Sequence, residues 1–526
     1  MAEKCILLFI LSLSYLTYGY SLAGPDHDKL VVCYYTSWTV YRPGAAKFEI
    51  PDIEPSLCTH LIYALAGLDN NTYKIKVLDK WEDLERDGGG IKRFVQLKEK
   101  HKHLKTTISI GGWNERSAKY SKMAADPKLR NIFIRSVVNF LDIHKLDGLD
   151  LYWDYPTGRG GKRKDRKNYV TLLKELSEAL QEKGYILTGT LRTALNNLNS
   201  VYDLVNVNFY LDFIHLMTYD YHGAWDGVVL AHAPLRSKDK DDFLNVEYTI
   251  KYLLSQGVTS SKMILGLPMY GRTYVLNNPE VKNIIFGETT TNTTGFSGLF
   301  TSESGFMGYN EICLEISNKS SEWIQYWDED SSTPYLRDEG RIISYDNPRS
   351  IASKVKMAMD YGLGGFAAWR ITIDDFRGSC DEDTDTYIDF IDRFNRMSNQ
   401  PIFLEAIANL VKASNTSEFY LISDKKPILR LPKPKFANYP LLRTGHEVMS
   451  LVTEEKKVLD EMEKLRIQKE EIEKSSYPCI RTCTEVCYYG PEITQKKTTN
   501  KVTYEKNIGS PIPNLNEIAM DDIIIA

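Results

Sequence analysis

Eight short apolar runs, separated by segments long enough for helices, constrain this chain more than any other feature. They fall at 31–35, 60–65, 105–110, 148–153, 186–191, 213–218, 263–267 and 365–369. Runs of this kind predict strands buried on both faces, as in a parallel sheet covered by helices. Eight of them predict an α/β fold closed into a (β/α)8 TIM barrel over 29–396. An open doubly wound sheet is the alternative, but no Gly-rich dinucleotide fingerprint follows any run. The stretch 274–341 is longer than one crossover needs and is rich in Thr, Ser, Gly, Tyr and Trp. It predicts a small inserted α+β domain standing over the barrel mouth.

The chain has 526 residues, 43% of them hydrophobic, which suffices for a large core. Its 65 basic and 70 acidic residues leave a net charge of −5, which gives no support for nucleic-acid binding. The basic cluster from Lys162 to Lys167 reads as a solvated loop face. At the N-terminus, Lys4 precedes an apolar run at 5–16 and then small residues. This predicts a signal peptide over 1–23, and hence secretion. The run is short for a membrane span and no later one is longer, so no membrane partner is expected.

Secretion makes the cysteines readable. Without Cys5 seven remain: Cys33, Cys58, Cys313, Cys380, Cys479, Cys483 and Cys487. An odd number implies a free thiol or a link between chains. Sequons at Asn70, Asn292, Asn318 and Asn415 are compatible with glycosylation. No His lies near the last three cysteines, so neither a metal nor any other cofactor is expected.

Beyond 396 the composition changes. Residues 397–452, with a Pro- and Lys-rich piece at 425–435, predict a linker. In 453–474, Val458, Met462, Leu465 and Ile472 lie at heptad spacing, with Lys469 interrupting. A short coiled coil and a solvated charged helix fit equally well, and the former would offer a route to a homodimer. Residues 475–526 predict an irregular tail.

The chemistry concentrates at 145–156. In a strand there, Asp150, Tyr152 and Asp154 share one face, while Leu149, Leu151 and Trp153 take the other. Polar side chains at the C-terminal end of a barrel strand are where catalysis is expected. The stretch Asp147-Gly-Leu-Asp150-Leu-Tyr152-Trp-Asp154-Tyr-Pro156 resembles the D-G-x-D-x-D-W-E-Y-P signature of the family-18 chitinases. Further motifs carry the resemblance across about 29–395. They include Ser109-Ile-Gly-Gly-Trp113, Met217-Thr-Tyr-Asp-Tyr-His-Gly223 and Leu265-Gly-Leu-Pro-Met-Tyr-Gly-Arg272. The last of them are Gly362-Leu-Gly-Gly365, Trp369 and Asp374-Asp-Phe376.

The resemblance implies disulfides Cys33–Cys58 and Cys313–Cys380. It implies catalytic positions at Asp150, Tyr152, Asp154, Tyr219 and Asp220. It also implies a sugar groove lined by Tyr34, Trp38, Trp113, Met217, Tyr270, Arg272 and Trp369. The family is expected to cleave β-1,4-linked N-acetylglucosamine with help from the substrate's acetamide. A Glu donates the proton, and an Asp two residues earlier orients the acetamide and steadies the cationic intermediate.

This chain departs at both positions. Asp154 stands for the Glu and retracts the carboxyl by roughly 1.5 Å, where misplacement of about 1 Å costs around a hundredfold. Tyr152 stands for the Asp, and a phenol cannot neutralise positive charge without ionising. Leu65, Arg192, Arg370 and Thr372 also depart nearby. Either Arg192 or Arg370 pairs with Asp154 and holds it ionised, or both point to solvent.

The leading expectation is a secreted chitinase-like protein that binds chitin or N-acetylglucosamine oligomers, with catalysis lost or strongly impaired. A weakly active endochitinase using Asp154 is the second reading. A non-catalytic signalling or immune-modulating protein with an occluded groove is the third.

Overall fold

A computed structural model describes residues 27–380, apart from 196, 240–241, 281–285, 292–293 and 319–321, then 438–476, with short stretches elsewhere. The signal segment, Asn292, Asn415, Cys479, Cys483 and the side chain of Cys487 lie outside the described residues.

Eight parallel strands form the centre. They are β1 (Leu30–Thr36), β2 (His60–Leu68), β3 (Lys105–Gly111), β4 (Gly148–Tyr152), β5 (Ile186–Arg192), β6 (Phe213–Met217), β7 (Met263–Pro268) and β8 (Gly365–Trp369). Each pairs with the next, and β8 pairs with β1, so the sheet closes into a TIM barrel. Each begins within a residue of an apolar run. β2 runs three residues past its predicted end because Ile75–Val77 folds back antiparallel on Ala66–Leu68.

The outer helices follow from local rules. In Pro127–His144, the Asp126 carboxylate accepts from the backbone N–H of Lys128 at 2.7 Å and Leu129 at 3.3 Å. Pro127 occupies the first turn, where its missing N–H costs nothing. Phe133, Val137 and Leu141 then recur at helical spacing and are fully buried.

After β7 the chain enters an antiparallel five-stranded sheet made of Tyr270–Val275, Met307–Gly308, Ile324–Asp328, Thr333–Asp338 and Arg341–Ser344, with the helix Tyr309–Ser317. This is the inserted α+β element. It leaves from the C-terminal end of a barrel strand, which is why Tyr270 and Arg272 reach the mouth.

Cys33 is bonded to Cys58, and Cys313 to Cys380. The second bond closes a separation of 67 residues, so Cys313→Ala should cost about 4 kcal/mol by loop entropy alone. Denaturant unfolding of that variant, its midpoint compared with that of the parent chain, measures this.

The C-terminal region departs from expectation. The predicted linker runs to 452, yet a helix spans Pro440–Ser476. Tyr439, Leu441, Leu442, Val448 and Met449 are at most 1% exposed and belong to the barrel's own hydrophobic core. The Asp374 carboxylate caps the helix by accepting from the N–H of Leu442 at 2.9 Å and Leu441 at 3.4 Å. Gly445 lies so close to β8 that a Cβ there would meet the Phe366 ring at 2.7 Å. The barrel therefore does not end at 396. The Pro- and Lys-rich composition of 425–435 does not extend to 440–452, where apolar residues have helical spacing.

Residues 455–476 of the same helix belong to a separate compact unit. In it Val458 and Leu465 are buried and Ile472 is exposed. Lys469 pairs with Glu405 at 2.6 Å, and Asn409 donates to Glu461 at 3.2 Å. This part of the helix meets a segment of its own chain, so its burial requires no second copy. Among the described residues no helix is long and apolar enough to cross a membrane.

Candidate active site

Strand register assembles the centre of the site. Asp150 on β4 stands opposite Ser109 on β3 and Thr188 on β5. The Ser109 hydroxyl donates to its carboxylate at 2.6 Å and the Thr188 hydroxyl at 2.9 Å. Tyr34 donates at 3.1 Å, and its hydroxyl also lies 2.7 Å from His215 Nδ1. Burial pushes the Asp150 carboxyl up, but His215 and the hydroxyls outweigh it and hold the group below its ordinary value. Asp150 is 0% exposed and Tyr34 2%. Tyr34 is therefore not a groove residue as expected: its hydroxyl is committed to Asp150 beneath the floor. Asp150 likewise lies below the floor. His215 escaped notice, although alternation along 213–217 places it inward.

Tyr152 is 4% exposed, with its ring edge-on to Trp369 at 5.8 Å and 83°. It adjoins the tight turn at Gly111 (φ 121°), where a Cβ would come within 2.1 Å of the Tyr152 carbonyl oxygen. On the other face Trp153 packs on Tyr120 and Tyr169 and donates its Nε1–H to Ser117 at 2.9 Å.

Asp154 is 3% exposed, and neither carboxylate oxygen has a hydrogen-bond partner. Arg192 approaches to 3.8 Å. Arg370 does not pair with it: its guanidinium lies over Trp38, 5.1 Å from the ring centroid. Of the two pairings considered, only the approach of Arg192 is seen, and it does not lower the Asp154 carboxyl. Burial dominates over Arg192 and Arg159, and the carboxyl lies above its ordinary value. The physical reason is distance: at 3.8 Å without a hydrogen bond, the cation cannot restore the lost hydration.

The sign gives a prediction. A raised carboxyl favours the neutral form in the folded state. Its stabilisation is full below the ordinary value near 4 and is lost as pH rises through the folded value. Asp154→Asn should therefore gain thermal stability relative to the parent chain as pH rises above about 4. Paired melting curves across pH check this, and a constant difference would contradict it.

Above this floor lies an open cleft of about 1280 Å³. It is not occluded by Tyr152 and the arginines. Trp38, Trp113, Tyr152, Asp154, Met217, Tyr219, Asp220, Tyr270, Arg272 and Trp369 all line it. Asp220 accepts from Tyr270 Oη at 2.8 Å and from Arg272 Nε and a terminal nitrogen at 2.7 and 2.8 Å. Burial raises the Asp220 carboxyl, but Arg272 prevails and takes it to about 2. Trp225 and Phe306 also line the cleft. Sequence reasoning missed both, because neither falls within a motif that carries the family resemblance.

Trp38 and Trp113 are 39% and 52% exposed. The Arg159 guanidinium lies 3.2 Å from the Trp113 ring centroid, and Arg192 lies 5.0 Å from it. Cations over the ring compete with a sugar for the same surface. Trp113→Ala should therefore weaken oligosaccharide binding by only a few fold, and Trp369→Ala by more than about tenfold. Titration calorimetry on both variants checks the order.

Comparison with known proteins matches this architecture. The chain is 40% identical over 442 residues, 82% of its length, to "Probable chitinase 2" of Drosophila melanogaster, covering 83% of that protein. The Group IV chitinase of Ostrinia furnacalis superposes with a TM-score of 0.64 at 38% identity, over 70% of this chain and 99% of that one. Human YKL-39, described as a pseudo-chitinase with retained chitooligosaccharide binding, gives 0.60 at 30% identity, over 66% and 94%. Residues 30–374, from the first barrel strand past the last, match the glycosyl hydrolases family 18, and the chain belongs to that family.

Proposed function

We propose that this protein is a secreted binder of chitin or N-acetylglucosamine oligomers in which hydrolysis is lost or strongly impaired. The observation that carries the reading is the pair Tyr152 and Asp154 on the floor of an open, aromatic-lined cleft. The chemistry calls for one acid donor and one anionic stabiliser. Tyr152 contributes a buried phenol, which burial and the nearby Asp154 charge push well above 10. It stays neutral and offers no charge to an oxazolinium-like intermediate. Asp154 offers a carboxyl one methylene short of the family's donor. The open cleft, its aromatic walls and the retained Asp220–Arg272–Tyr270 cluster support binding. Two disulfides and the exposed sequons at Asn70 and Asn318 support an oxidising, secretory route.

The raised carboxyl of Asp154 favours a second reading, a weak endochitinase. Burial shifts this carboxyl toward its protonated, proton-donating form, but one methylene too far back. Chitin beads separate the two. The first reading expects retention of the purified chain, loss of retention in Trp369→Ala, and no soluble oligomers released. Release of oligomers that Asp154→Ala abolishes establishes the second. Passage through the beads without retention overturns the first.

A further inference from the structure

Two arginines in the cleft have no ion-pair partner among the described residues. Arg370 follows Trp369, lines the cleft, and is 8% exposed. Its guanidinium lies 5.1 Å from the Trp38 ring centroid and 5.9 Å from that of Phe306. Its Nε is buried without a hydrogen-bond partner, and so is one terminal nitrogen of Arg42 beside it. Neither side chain forms an ion pair among the described residues. Other shielded arginines of this fold are paired, Arg272 with Asp220 at 2.7 Å and Arg130 with Glu175 at 2.8 Å.

The nearby acids do not fill the role. The Glu311 carboxylate is spent on the N–H groups of Phe300, Thr301 and Gly308 and on the Thr301 hydroxyl. Glu303 is exposed at the rim. Two residues after Arg370 stands Thr372, whose hydroxyl lies 2.8 Å from that of Thr36, so no carboxylate is supplied there. Burial and then the Arg42 charge lower Arg370 to about 9. Buried donors and like charges held together without partners are unfavourable, and an incoming anion relieves both.

The surroundings say what carries the anion. The half-exposed Trp38 ring beside Arg370 and the Trp369 ring before it are surfaces for sugar rings. We propose that this end of the cleft receives a carboxylate or sulfate borne by a β-1,4-linked oligomer of the N-acetylglucosamine type, with an adjacent ring on Trp369. The inference rests on the sugar-binding reading of the cleft and narrows its ligand to an acidic glycan. Planar guanidinium groups suit either anion, each presenting two oxygens to paired N–H groups.

The test is titration calorimetry of the full chain with three tetrasaccharides. One is the neutral N-acetylglucosamine tetramer and one is its 6-O-sulfated form. The third alternates N-acetylglucosamine with N-acetylmuramic acid, whose lactyl ether carries a carboxylate. At least one acidic tetramer should bind about tenfold or more tighter than the neutral one, by a margin that shrinks in high salt. The acidic-to-neutral ratio should fall toward one in Arg370→Ala and be largely kept in Arg370→Lys. Arg42→Ala, at a half-buried position, carries the test if Arg370→Ala fails to fold. Which acidic tetramer wins separates carboxylate from sulfate. Equal affinity for all three, or a preference unchanged in the variants, overturns the inference and leaves sugar binding standing. No binding of any tetramer overturns both.

Discussion

Restoring both acids, Tyr152→Asp with Asp154→Glu, should raise kcat/KM on a fluorogenic chito-oligosaccharide by at least about a hundredfold. Asp154 already sits at the cleft floor, with its carboxyl free of hydrogen bonds and raised by burial. One added methylene restores the length of the family's proton donor. The second change supplies the missing anion. A carboxylate at 152 would stand between Asp150 and the lengthened carboxyl at 154, on the same face of β4. Asp150 is saturated by hydroxyls and His215, so it can tolerate a charged neighbour.

Because the two groups act on one transition state, their effects are not additive, and either single change should recover much less. Removing the Tyr152 ring takes away one of two edge contacts of Trp369, that of Tyr34 remaining, so circular dichroism and a thermal melt must accompany the assay. A folded double variant as inactive as the parent chain would mean that the defect lies outside these two positions.

Ending the chain at residue 437 should abolish cooperative folding, whereas ending it at 454 should not. The truncation at 437 removes Tyr439, Leu441, Leu442, Val448 and Met449, all at most 1% exposed and packed in the barrel core. Five buried side chains at ~1.5–3 kcal/mol each amount to about 10 kcal/mol, which is comparable with the whole stability of a domain, ~5–15 kcal/mol. The loss is compounded at β8, where the Phe366 ring is left uncovered. It is compounded again at Asp374, whose carboxyl loses the N–H groups of Leu441 and Leu442. Thermal melts of the two truncations decide the matter. Equal midpoints would show that the helix merely rests on the barrel.

The barrel was legible because its strands are buried on both faces, and such strands are written as unbroken apolar runs. The position of Asp150, Tyr152 and Asp154 on one face followed from strand alternation alone. What lay beyond reach was distance in space. Nothing in the sequence says that Arg370 turns to Trp38 while Arg192 stays with Asp154. The covering of Trp113 by Arg159 is similarly a matter of loop geometry, set by the turn after Pro156. Tyr34 was misplaced because a groove position and a position one layer deeper lie on the same face of β1, only two residues apart. The helix at Pro440 was missed for another reason. Its docking partners, Asp374 and Phe366, lie more than sixty residues earlier, and a Pro- and Lys-rich stretch intervenes.

The central claim is that this cleft holds N-acetylglucosamine oligomers without cutting them efficiently. The direct test is one sample read twice. The full chain is titrated with the neutral tetramer by calorimetry, and the same mixture is then incubated and analysed for shorter oligomers by mass spectrometry. The account predicts a saturable isotherm, abolished or strongly weakened in Trp369→Ala, with the tetramer recovered intact. Rapid conversion of the tetramer to dimers, or no heat of binding at all, would contradict it.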